Sequence, residues 1–538
     1  MSLAPAHLVI APILLPLVVG ALMLFFEDRE RRLKLGLSLL SLLGLLAISV
    51  LLLTRVHLHN DGPALVYLVG NWPAPIAINL IADRLSVVML ILTAALAVPA
   101  LLFASERWEK AGPHFHSLFQ FLLVGLNGAF LTGDLFNLFV FFEVMLAASY
   151  GLVLHGGGAL RVRAGLHYIA VNLGASLIFL IGIAMVFGAV GSLNMAEIAL
   201  RAETLQGFAR PALHVGLAML GLAFLVKAGM WPLSFWLVPA YSAAAGPVAA
   251  VFAMLSKVGI YSLLRLALLL PGEGAVFGSV IIFIGGAATL VFACLGILAS
   301  QSMRRASAYF VMMSSGTLLA AFGVSHPPST AGALFYLLSS TLSIGAFFLL
   351  VELLEREQDT AADVLAVTLE AYGEGDADAA GQEEVGTIMP GALAVLGMAF
   401  AFLALILIGL PPLSGFLAKF AILTAVVGPG SGSLDAALAM RVTLAGLLLI
   451  SGLVALLALS RMGIRTFWAP VQPFNPRVTI LETAPILLLL AMLLALAIQA
   501  GPVMNLLMAT AQELHDTQKY LDAVLGAERV PPFAGRGN

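Results

Sequence analysis

Apolar runs of about twenty residues recur along the whole chain, and this feature restricts its fold more than any other. A helix of about 20 apolar residues crosses the ~30 Å hydrocarbon core of a bilayer. Of the 538 residues, 61% are hydrophobic and only 10% are charged. A soluble core of this length could not bury so many apolar side chains. The sequence therefore predicts a polytopic membrane protein.

The runs are continuously apolar and lack the alternation of a barrel strand, so the spans are predicted to be α-helices. The first basic residue, Arg29, follows the first run, so that run lacks the basic start of a cleavable signal peptide and is expected to be retained. We expect fourteen spans. Their predicted ranges are 8–26, 33–53, 78–104, 117–133, 135–154, 165–190, 211–240, 246–268, 275–299, 306–324, 331–352, 390–427, 441–460 and 480–508.

Basic residues are distributed unequally between the two sides of this predicted bundle. Of 26 Lys and Arg, fourteen fall in connections after odd-numbered spans, nine fall on the other side, and three lie inside spans. Basic residues mark the cytoplasmic face, so both termini are expected on the outer, periplasmic side. The acidic segment 353–389 is predicted to be a cytoplasmic loop, with a short helix near 363–372.

Two predicted spans, 211–240 and 390–427, are too long for one straight crossing, and each contains proline near its middle. The segments PLSFWL at 232–237 and PLSGFL at 412–417 share a Pro-Leu-Ser motif, 180 residues apart. Proline frees backbone carbonyls, which hydrocarbon tolerates only where protein or water satisfies them. Interrupted spans at corresponding places in two halves indicate a transporter built from repeats. Two ordinary kinks with a chance sequence match are the alternative.

Four ionisable side chains lie too deep in predicted spans to reach the membrane surface easily. A charge at the bilayer centre costs about 2.5–3.5 kcal/mol on insertion scales, so such groups usually face a bundle interior and mark ion pathways. A Glu and a Lys that approach and separate can exchange protons. Static ion pairs that fix helix packing are the alternative. The candidate site residues are Glu143, Lys227, Lys257 and Lys419.

Soluble-type chemistry has no support in this sequence. It contains no phosphate-binding loop, dinucleotide fingerprint, paired CxxC motif or nucleophile elbow, and its single cysteine, Cys294, lies in an apolar run. We therefore expect no cofactor and no metal site. The net charge of −3 and the lack of a basic, aromatic-rich patch give no reason to expect nucleic-acid binding.

Four motifs surround the buried charges and the breaks: LTGDLFNLFVFFE at 131–143, KAGMWPL at 227–233, SKVGIY at 256–261 and GLPPLSGF at 409–416. Together they resemble the antiporter-like family shared by respiratory complex I and the Mrp (Pha) cation/proton antiporters, most nearly the D-type subunits of those antiporters. The resemblance covers roughly residues 8–460.

This resemblance implies an organisation and a role for each buried charge. It implies three N-terminal helices (1–116), two inverted five-helix repeats (117–268 and 275–460), and a C-terminal helix with a tail (461–538). In the family, the residues matching Glu143 and Lys227 form the pair that gates proton transfer. The residue matching Lys257 connects the middle, and the one matching Lys419 serves the far half-channel. The family works in multisubunit complexes, so a lone chain is not expected to transport.

Two departures from the complex I pattern favour an antiporter subunit. Tyr241 stands where complex I members commonly carry a histidine after the first break, and Ser339, Ser340 and Ile344 replace a His-rich stretch with a lysine. These replacements leave few titratable links between Lys257 and the second break. Water held by Ser339, Ser340, Thr341 and Ser343 is our hypothesis for that gap.

The sequence and the resemblance together predict the proton-conducting subunit of a multisubunit monovalent cation/proton antiporter in the inner (plasma) membrane. Protons passing the Glu-Lys-Lys-Lys relay would drive export of Na⁺ or K⁺, and the expected partners are other small membrane subunits. Two alternatives stay open. The chain could be a proton-pumping subunit of a complex I-like or hydrogenase-type redox complex, and so part of a translocase enzyme, or a structural scaffold whose buried charges only hold helices together.

Overall fold

The structure, a computed structural model, describes residues 5–27, 29–58, 64–72, 78–269, 278–372, 391–427, 436–468 and 478–527. Within these ranges the chain is almost wholly helical, with one β-hairpin. The helices of the first half are α1 (Ala11–Leu22), α2 (Arg31–Leu58), α3 (Arg84–Arg107), α4 (Phe115–Leu131), α5 (Leu135–Leu154), α6 (Ala159–Val190), α7 (Met195–Ala202), α8 (Ala209–Ala228), α9 (Leu237–Ala243) and α10 (Gly246–Leu269).

The second half continues the same all-helical pattern. Its helices are α11 (Ser279–Ala299), α12 (Met303–Gly323), α13 (Pro327–Tyr372), α14 (Gly391–Ile408), α15 (Ser414–Val427), α16 (Ala436–Gly463), α17 (Ile480–Ile498), α18 (Ala500–Leu514) and α19 (Thr517–Leu525). The hairpin consists of β1 (Ala64–Leu68) and β2 (Asn79–Asp83), which pair antiparallel with Ala64 opposite Asp83.

The predicted all-α polytopic membrane fold is confirmed. Twelve helices of the described ranges are long and apolar enough to cross a membrane, and three more, His7–Leu22, Phe115–Leu131 and Ser414–Val427, are apolar but shorter. Each predicted span overlaps one helix or a consecutive pair of helices. The count of fourteen crossings and the two inverted repeats stay predictions.

The two long proline-containing spans are broken, as the sequence indicates, and their breaks share one backbone geometry. Helix α8 ends before Gly229, which has φ +72°, and α14 ends before Gly409, which has φ +86°. Only glycine adopts such left-handed angles without strain. The amide of Met230 donates to the carbonyl of Leu225 at 3.0 Å, and that of Leu410 to Leu405 at 3.0 Å. These are the hydrogen bonds of a helix that stops at a C-terminal glycine.

The start of the third predicted span is wrong by six residues. The hydropathy pattern predicts a start at residue 78, but residues Asn79–Asp83 form β2 and the helix α3 begins at Arg84. The Asp83 carboxylate accepts a hydrogen bond from the amide of Ser86 at 2.9 Å, and the Ser86 hydroxyl accepts one from the amide of Asp83 at 2.9 Å. This reciprocal cap fixes the start of the helix, and hydropathy alone does not detect it.

The predicted cytoplasmic loop 353–389 is helical over its first part. Helix α13 continues without interruption to Tyr372, so the expected short helix at 363–372 is the end of a much longer one. The segment up to Tyr372 contains no Gly or Pro after Gly345 and is rich in Ala, Leu and Glu, which favour helix. Residues 373–390 lie outside the described ranges.

Helix α10 forms the centre of the bundle. All 24 of its residues are buried, and it contacts α3, α8, α12 and α13. At Gly259 the approach to α8 is so close that a Cβ would lie 2.7 Å from the carbonyl oxygen of Phe224. Outer helices such as α16 expose large apolar side chains, including Leu449 and Leu453, which suit a lipid environment.

Candidate functional site

Glu143 lies in α5 and is only partly buried, but one of its carboxylate oxygens is enclosed. Its Oε1 atom has no hydrogen-bond partner among the described residues. The helix is held at its start by Asp134, whose carboxylate accepts a hydrogen bond from the amide of Asn137 at 2.8 Å. Burial raises the pKa of Asp134, and the hydrogen bonds from the helix start oppose that effect. The carboxylate of Glu143 therefore has an enclosed oxygen available for a new partner.

Lys227 lies in the last turn of α8, just before the first break, and is 4% exposed. Its Nζ donates to the hydroxyl of Ser176 on α6 at 3.3 Å and lies 4.8 Å from the centre of the Phe142 ring on α5. Phe142 is the neighbour of Glu143 in sequence, and Glu143 is within electrostatic range of Lys227. In the described part of the chain, the two charged groups form no ion pair within 4.0 Å.

Lys257 lies midway along α10 and is fully buried. Its Nζ donates to the hydroxyl of Ser314 on α12 at 2.8 Å. The Ser314 hydroxyl is 2.9 Å from that of Ser340 on α13. The central lysine is thus connected to the second half of the bundle through two neutral hydroxyl groups.

Lys419 lies in α15 behind the second break and is 8% exposed. Its Nζ donates at 2.9 Å to the carbonyl of Ile408, the last residue of α14. At the first break the indole of Trp236 has the same task, donating at 3.2 Å to the carbonyl of Val226. The Val226 carbonyl also accepts from the amide of Gly229 at 3.1 Å, so the indole adds a second hydrogen bond there, whereas Lys419 supplies the donor for the carbonyl at the end of α14.

The four candidate residues lie on four different helices, and all three lysines are buried. None of the four makes an ion pair with another in the part of the chain that the structure describes. The lysines instead donate to hydroxyl or carbonyl oxygens. The structure thus places each lysine inside the protein, but it does not join the four groups directly.

Tyr241 and the hydroxyl residues expected to hold water near the second break make distinct contacts. Tyr241 is buried and donates to the carbonyl of Phe252 at 2.8 Å, so it fixes α9 to α10. Ser339 donates to the hydroxyl of Ser414 at 2.9 Å, and Ser343 donates to the carbonyl of Ser340 at 3.1 Å. The Thr341 hydroxyl is buried without a partner among the described residues.

An open groove and a small cavity lie near the breaks. A groove of about 1010 Å³ lies beside the segment that follows the first break. Its lining includes Arg161, Arg163, His167, Phe235, Ser242 and Arg304. A smaller cavity of about 20 Å³ lies between α12, α13 and the second break. It is bordered by the hydroxyl-bearing Ser339, Ser340 and Ser343 and by apolar side chains such as Phe310 and Ile406. A volume of at least about 10–15 Å³ with polar walls holds one water molecule.

A second group of buried charges is not apparent from the sequence. Arg265, near the end of the predicted span 246–268, is buried in the last turns of α10 and pairs with Asp83 at 2.5 Å. Asp83 and Arg265 are 182 residues apart, so no local pattern could join them. Likewise, Glu352 is buried and pairs with Arg304 at 3.1 Å. Its carboxylate also accepts a hydrogen bond from the amide of Gly246, at the start of α10, at 3.2 Å.

The fold and its buried charges define a class, the antiporter-like polytopic membrane subunits. Residues 132–445 match the family described as NADH:quinone oxidoreductase/Mrp antiporter, TM. The chain belongs to this family, which confirms the resemblance inferred from the motifs.

Two relatives that match nearly the whole chain are antiporter D subunits. The chain is 53% identical to the D subunit of a probable K⁺/H⁺ antiporter from Rhizobium meliloti, over 97% of this chain and 98% of that protein. It is 32% identical to the D subunit of a Na⁺/H⁺ antiporter from Alkalihalophilus pseudofirmus, over 96% and 99%. Its fold matches a chain of the Mrp complex from Dietzia sp. DQ12-45-1b with a TM-score of 0.82 and 26% identity, covering 98% of this chain and 100% of that one.

Proposed function

We propose that this chain is the proton-conducting subunit of a multisubunit monovalent cation/proton antiporter. Protons pass along Glu143, Lys227, Lys257 and Lys419, and their movement drives export of Na⁺ or K⁺ by the complex. The complex resides in the inner (plasma) membrane, with both termini of this chain on the outer side. Other small membrane subunits complete it.

The observation that carries this proposal is that the three buried lysines form their hydrogen bonds with neutral groups. Each donates to a neutral oxygen, from Ser176, Ser314 or Ile408. A lysine in a close ion pair is held in its charged form by the partner, whereas a buried lysine with neutral partners changes its protonation when a nearby charge changes. The partly buried Glu143 is the charged group within electrostatic range of Lys227 and is its partner in the proposed relay.

Access for protons is supported by the groove beside the first break. Its lining combines basic side chains and the hydroxyl of Ser242 with apolar groups such as Leu160 and Phe235, and the polar groups offer hydrogen bonds to water. The arginines also follow the side that the basic-residue distribution assigns to the cytoplasm. We therefore propose that this groove connects the aqueous phase to the first half of the relay.

The names of the relatives support an antiporter over a redox complex, because both full-length matches described above are antiporter subunits. Purification of the native complex separates the two. An antiporter is expected to purify with small membrane subunits alone, whereas co-purifying flavin or iron–sulfur subunits would establish the redox alternative.

Substitution of the gating pair tests the relay itself. We expect Glu143→Gln and Lys227→Ala to lower cation-dependent proton movement by about 100-fold or more, because each removes a positioned proton-transfer group. The measurement is Na⁺- and K⁺-driven pH change in vesicles that contain the whole reconstituted complex. Matched controls are Glu203→Gln and Lys519→Ala, which change the same residue types at exposed positions.

Two outcomes would contradict the proposal. Wild-type exchange in either Glu143→Gln or Lys227→Ala, with normal assembly of the complex, would exclude the relay. The scaffold alternative predicts that the combined Glu143→Gln and Lys227→Met variant retains full activity, because the double change removes both charges and keeps their volume. We expect that variant to assemble and to be inactive.

A further inference from the structure

A series of buried serines connects Lys257 to the second helix break. Lys257 donates to Ser314 at 2.8 Å, and Ser314 lies 2.9 Å from Ser340. On the same helix as Ser340, Ser339 donates to Ser414 at 2.9 Å, and Ser414 is the first residue of α15. All four hydroxyl groups belong to side chains that are at most 7% exposed.

The one gap in this series lies between Ser340 and Ser339, which are consecutive on α13 and point about 100° apart. The cavity of about 20 Å³ lies at that gap, because both serines border it, so a water molecule in the cavity can bridge their hydroxyl groups. Its volume suffices for one water molecule, and the hydroxyl groups of Ser339, Ser340 and Ser343 supply the two to four polar partners that a buried water needs.

We propose that Ser314, Ser340, one water molecule, Ser339 and Ser414 form a proton wire that carries protons between Lys257 and the second break. This inference rests on the proposed relay and supplies its missing segment. Histidines and a lysine are not required there, because hydroxyl groups both donate and accept hydrogen bonds.

The proton balance of the wire is simple. The Lys257 ammonium gives a proton to the Ser314 oxygen, while Ser314 releases its own hydroxyl proton to Ser340. Ser340 passes its proton to the water, the water passes one to Ser339, and Ser339 passes one to Ser414. Ser414 gives its own proton to water in the break, from which the neutral amine of Lys419, which lies against the Ile408 carbonyl, takes up one proton. Lys257 is left as a neutral amine, and each hydroxyl group remains neutral with its hydrogen bond pointing in the opposite direction.

The direction of donation agrees with this order. Lys257 is the donor to Ser314, and Ser339 is the donor to Ser414. The bond between Ser314 and Ser340 allows either oxygen to donate. All three bonds are therefore compatible with transfer from Lys257 towards the break, and reversal requires only rotation of hydroxyl groups.

Isosteric substitutions isolate the hydroxyl groups. Thr and Val have nearly the same shape, so Ser314→Thr and Ser314→Val impose the same packing change, but only Thr retains the hydroxyl. We expect the Val variant to exchange protons roughly tenfold to 100-fold more slowly than the Thr variant, a loss within reach of a positioned proton-transfer group. The same comparison applies to Ser340. The assay is the vesicle exchange measurement on the whole complex, recorded over a range of pH.

The matched control is Ser307, on the same helix as Ser314. It is also fully buried, but its hydroxyl donates to its own helix at the Met303 carbonyl, 2.8 Å away. Ser307→Thr and Ser307→Val are expected to exchange equally. If both larger residues prevent assembly at position 314 or 340, Ser→Ala at that position, measured against Ser307→Ala, replaces the pair.

The outcomes separate this inference from the relay itself. If Lys257→Ala abolishes exchange but the Val and Thr variants at both serines agree within about threefold, the serine wire is wrong and the relay stands. If Lys257→Ala exchanges like the wild type, the relay fails and the wire fails with it. A slow Val variant beside an active Thr variant establishes the hydroxyl requirement, which a purely structural role of Ser314 would not produce.

Discussion

Lys257 has an unusual environment for a buried charge, because its partner is a neutral serine hydroxyl. A buried ammonium loses its hydration, and a single hydroxyl replaces only part of it. Arg265, two turns further along α10, is also buried, but the Asp83 carboxylate accepts hydrogen bonds from both its Nη1 and its Nη2. One helix thus carries a cation with a neutral partner and a cation in an ion pair.

This contrast predicts opposite effects on stability. We expect Lys257→Met to leave the free energy of unfolding of the complex unchanged or to raise it by about 1 kcal/mol, because a poorly compensated charge is removed. We expect Arg265→Met to cost about 3–5 kcal/mol, because it leaves Asp83 buried without its partner. Thermal unfolding in detergent measures both. A strongly destabilised Lys257→Met variant would show that the lysine is a structural element.

The sequence is sufficient to find the buried charges but not their partners. Glu143, Lys227, Lys257 and Lys419 stand out because each interrupts an apolar run. Ser176 and Ser314 are ordinary residues of membrane helices, and they are 51 and 57 residues away from the lysines they contact. Only the packing of distant helices brings them together, so no local pattern reveals them.

Each of the two breaks depends on one glycine. Gly409 has φ +86°, and a Cβ there would lie 2.8 Å from the Cδ of Lys419. Proline and segment length are enough to predict the breaks.

Hydropathy does not reveal the hairpin β1–β2, because its strands are short and β2 merges with the apolar run of the next span.

We expect Gly409→Ala to destabilise the complex by about 1–2 kcal/mol, the usual cost of a left-handed angle for a residue with a Cβ. It should also slow exchange, because the new methyl group displaces the side chain of Lys419. The control is Gly446→Ala on α16, where a Cβ meets nothing within 4 Å and the expected change is small. Unfolding and exchange measurements that do not distinguish the two variants would contradict this account.

Across the molecule, the pair Asp83–Arg265 joins the hairpin and α3 to α10 and to the C-terminal helices. The Arg265 guanidinium lies 5.5 Å from the centre of the Tyr520 ring on α19, and Arg84 pairs with Glu513 on α18 at 2.7 Å. These contacts connect parts of the chain that are hundreds of residues apart. Hydropathy therefore predicts the helices of the bundle, but it does not predict these contacts between the hairpin, α10 and the C-terminal helices.

The same pair predicts how stability depends on pH. Burial alone would raise the pKa of Asp83, but the Arg265 charge and hydrogen bonds from Arg265 and Ser86 hold it below its usual value. The stabilisation of the folded state by this ion pair is therefore complete above the pKa of Asp83 in the unfolded chain, about 3.9. It is lost as the pH falls through the lower pKa of Asp83 in the folded protein. We expect wild-type melting temperature to fall below about pH 4 more steeply than that of Asp83→Asn.

Asp83→Asn is expected to be less stable than the wild type at neutral pH, so the comparison concerns slopes. Asp522→Asn changes the same residue type at an exposed position of α19, and it should follow the wild-type slope. Parallel acid curves for the wild type and Asp83→Asn would show that this ion pair does not govern acid stability.

The contact between Lys419 and the Ile408 carbonyl has a consequence for repeated turnover. A lysine that has given up its proton keeps two N–H bonds, so it can still donate to that carbonyl. The Ile408 carbonyl oxygen at the end of α14 thus keeps its hydrogen bond whether Lys419 is protonated or neutral. If Lys419 serves in the proposed relay, the broken helix therefore need not rearrange when the lysine gains or loses a proton.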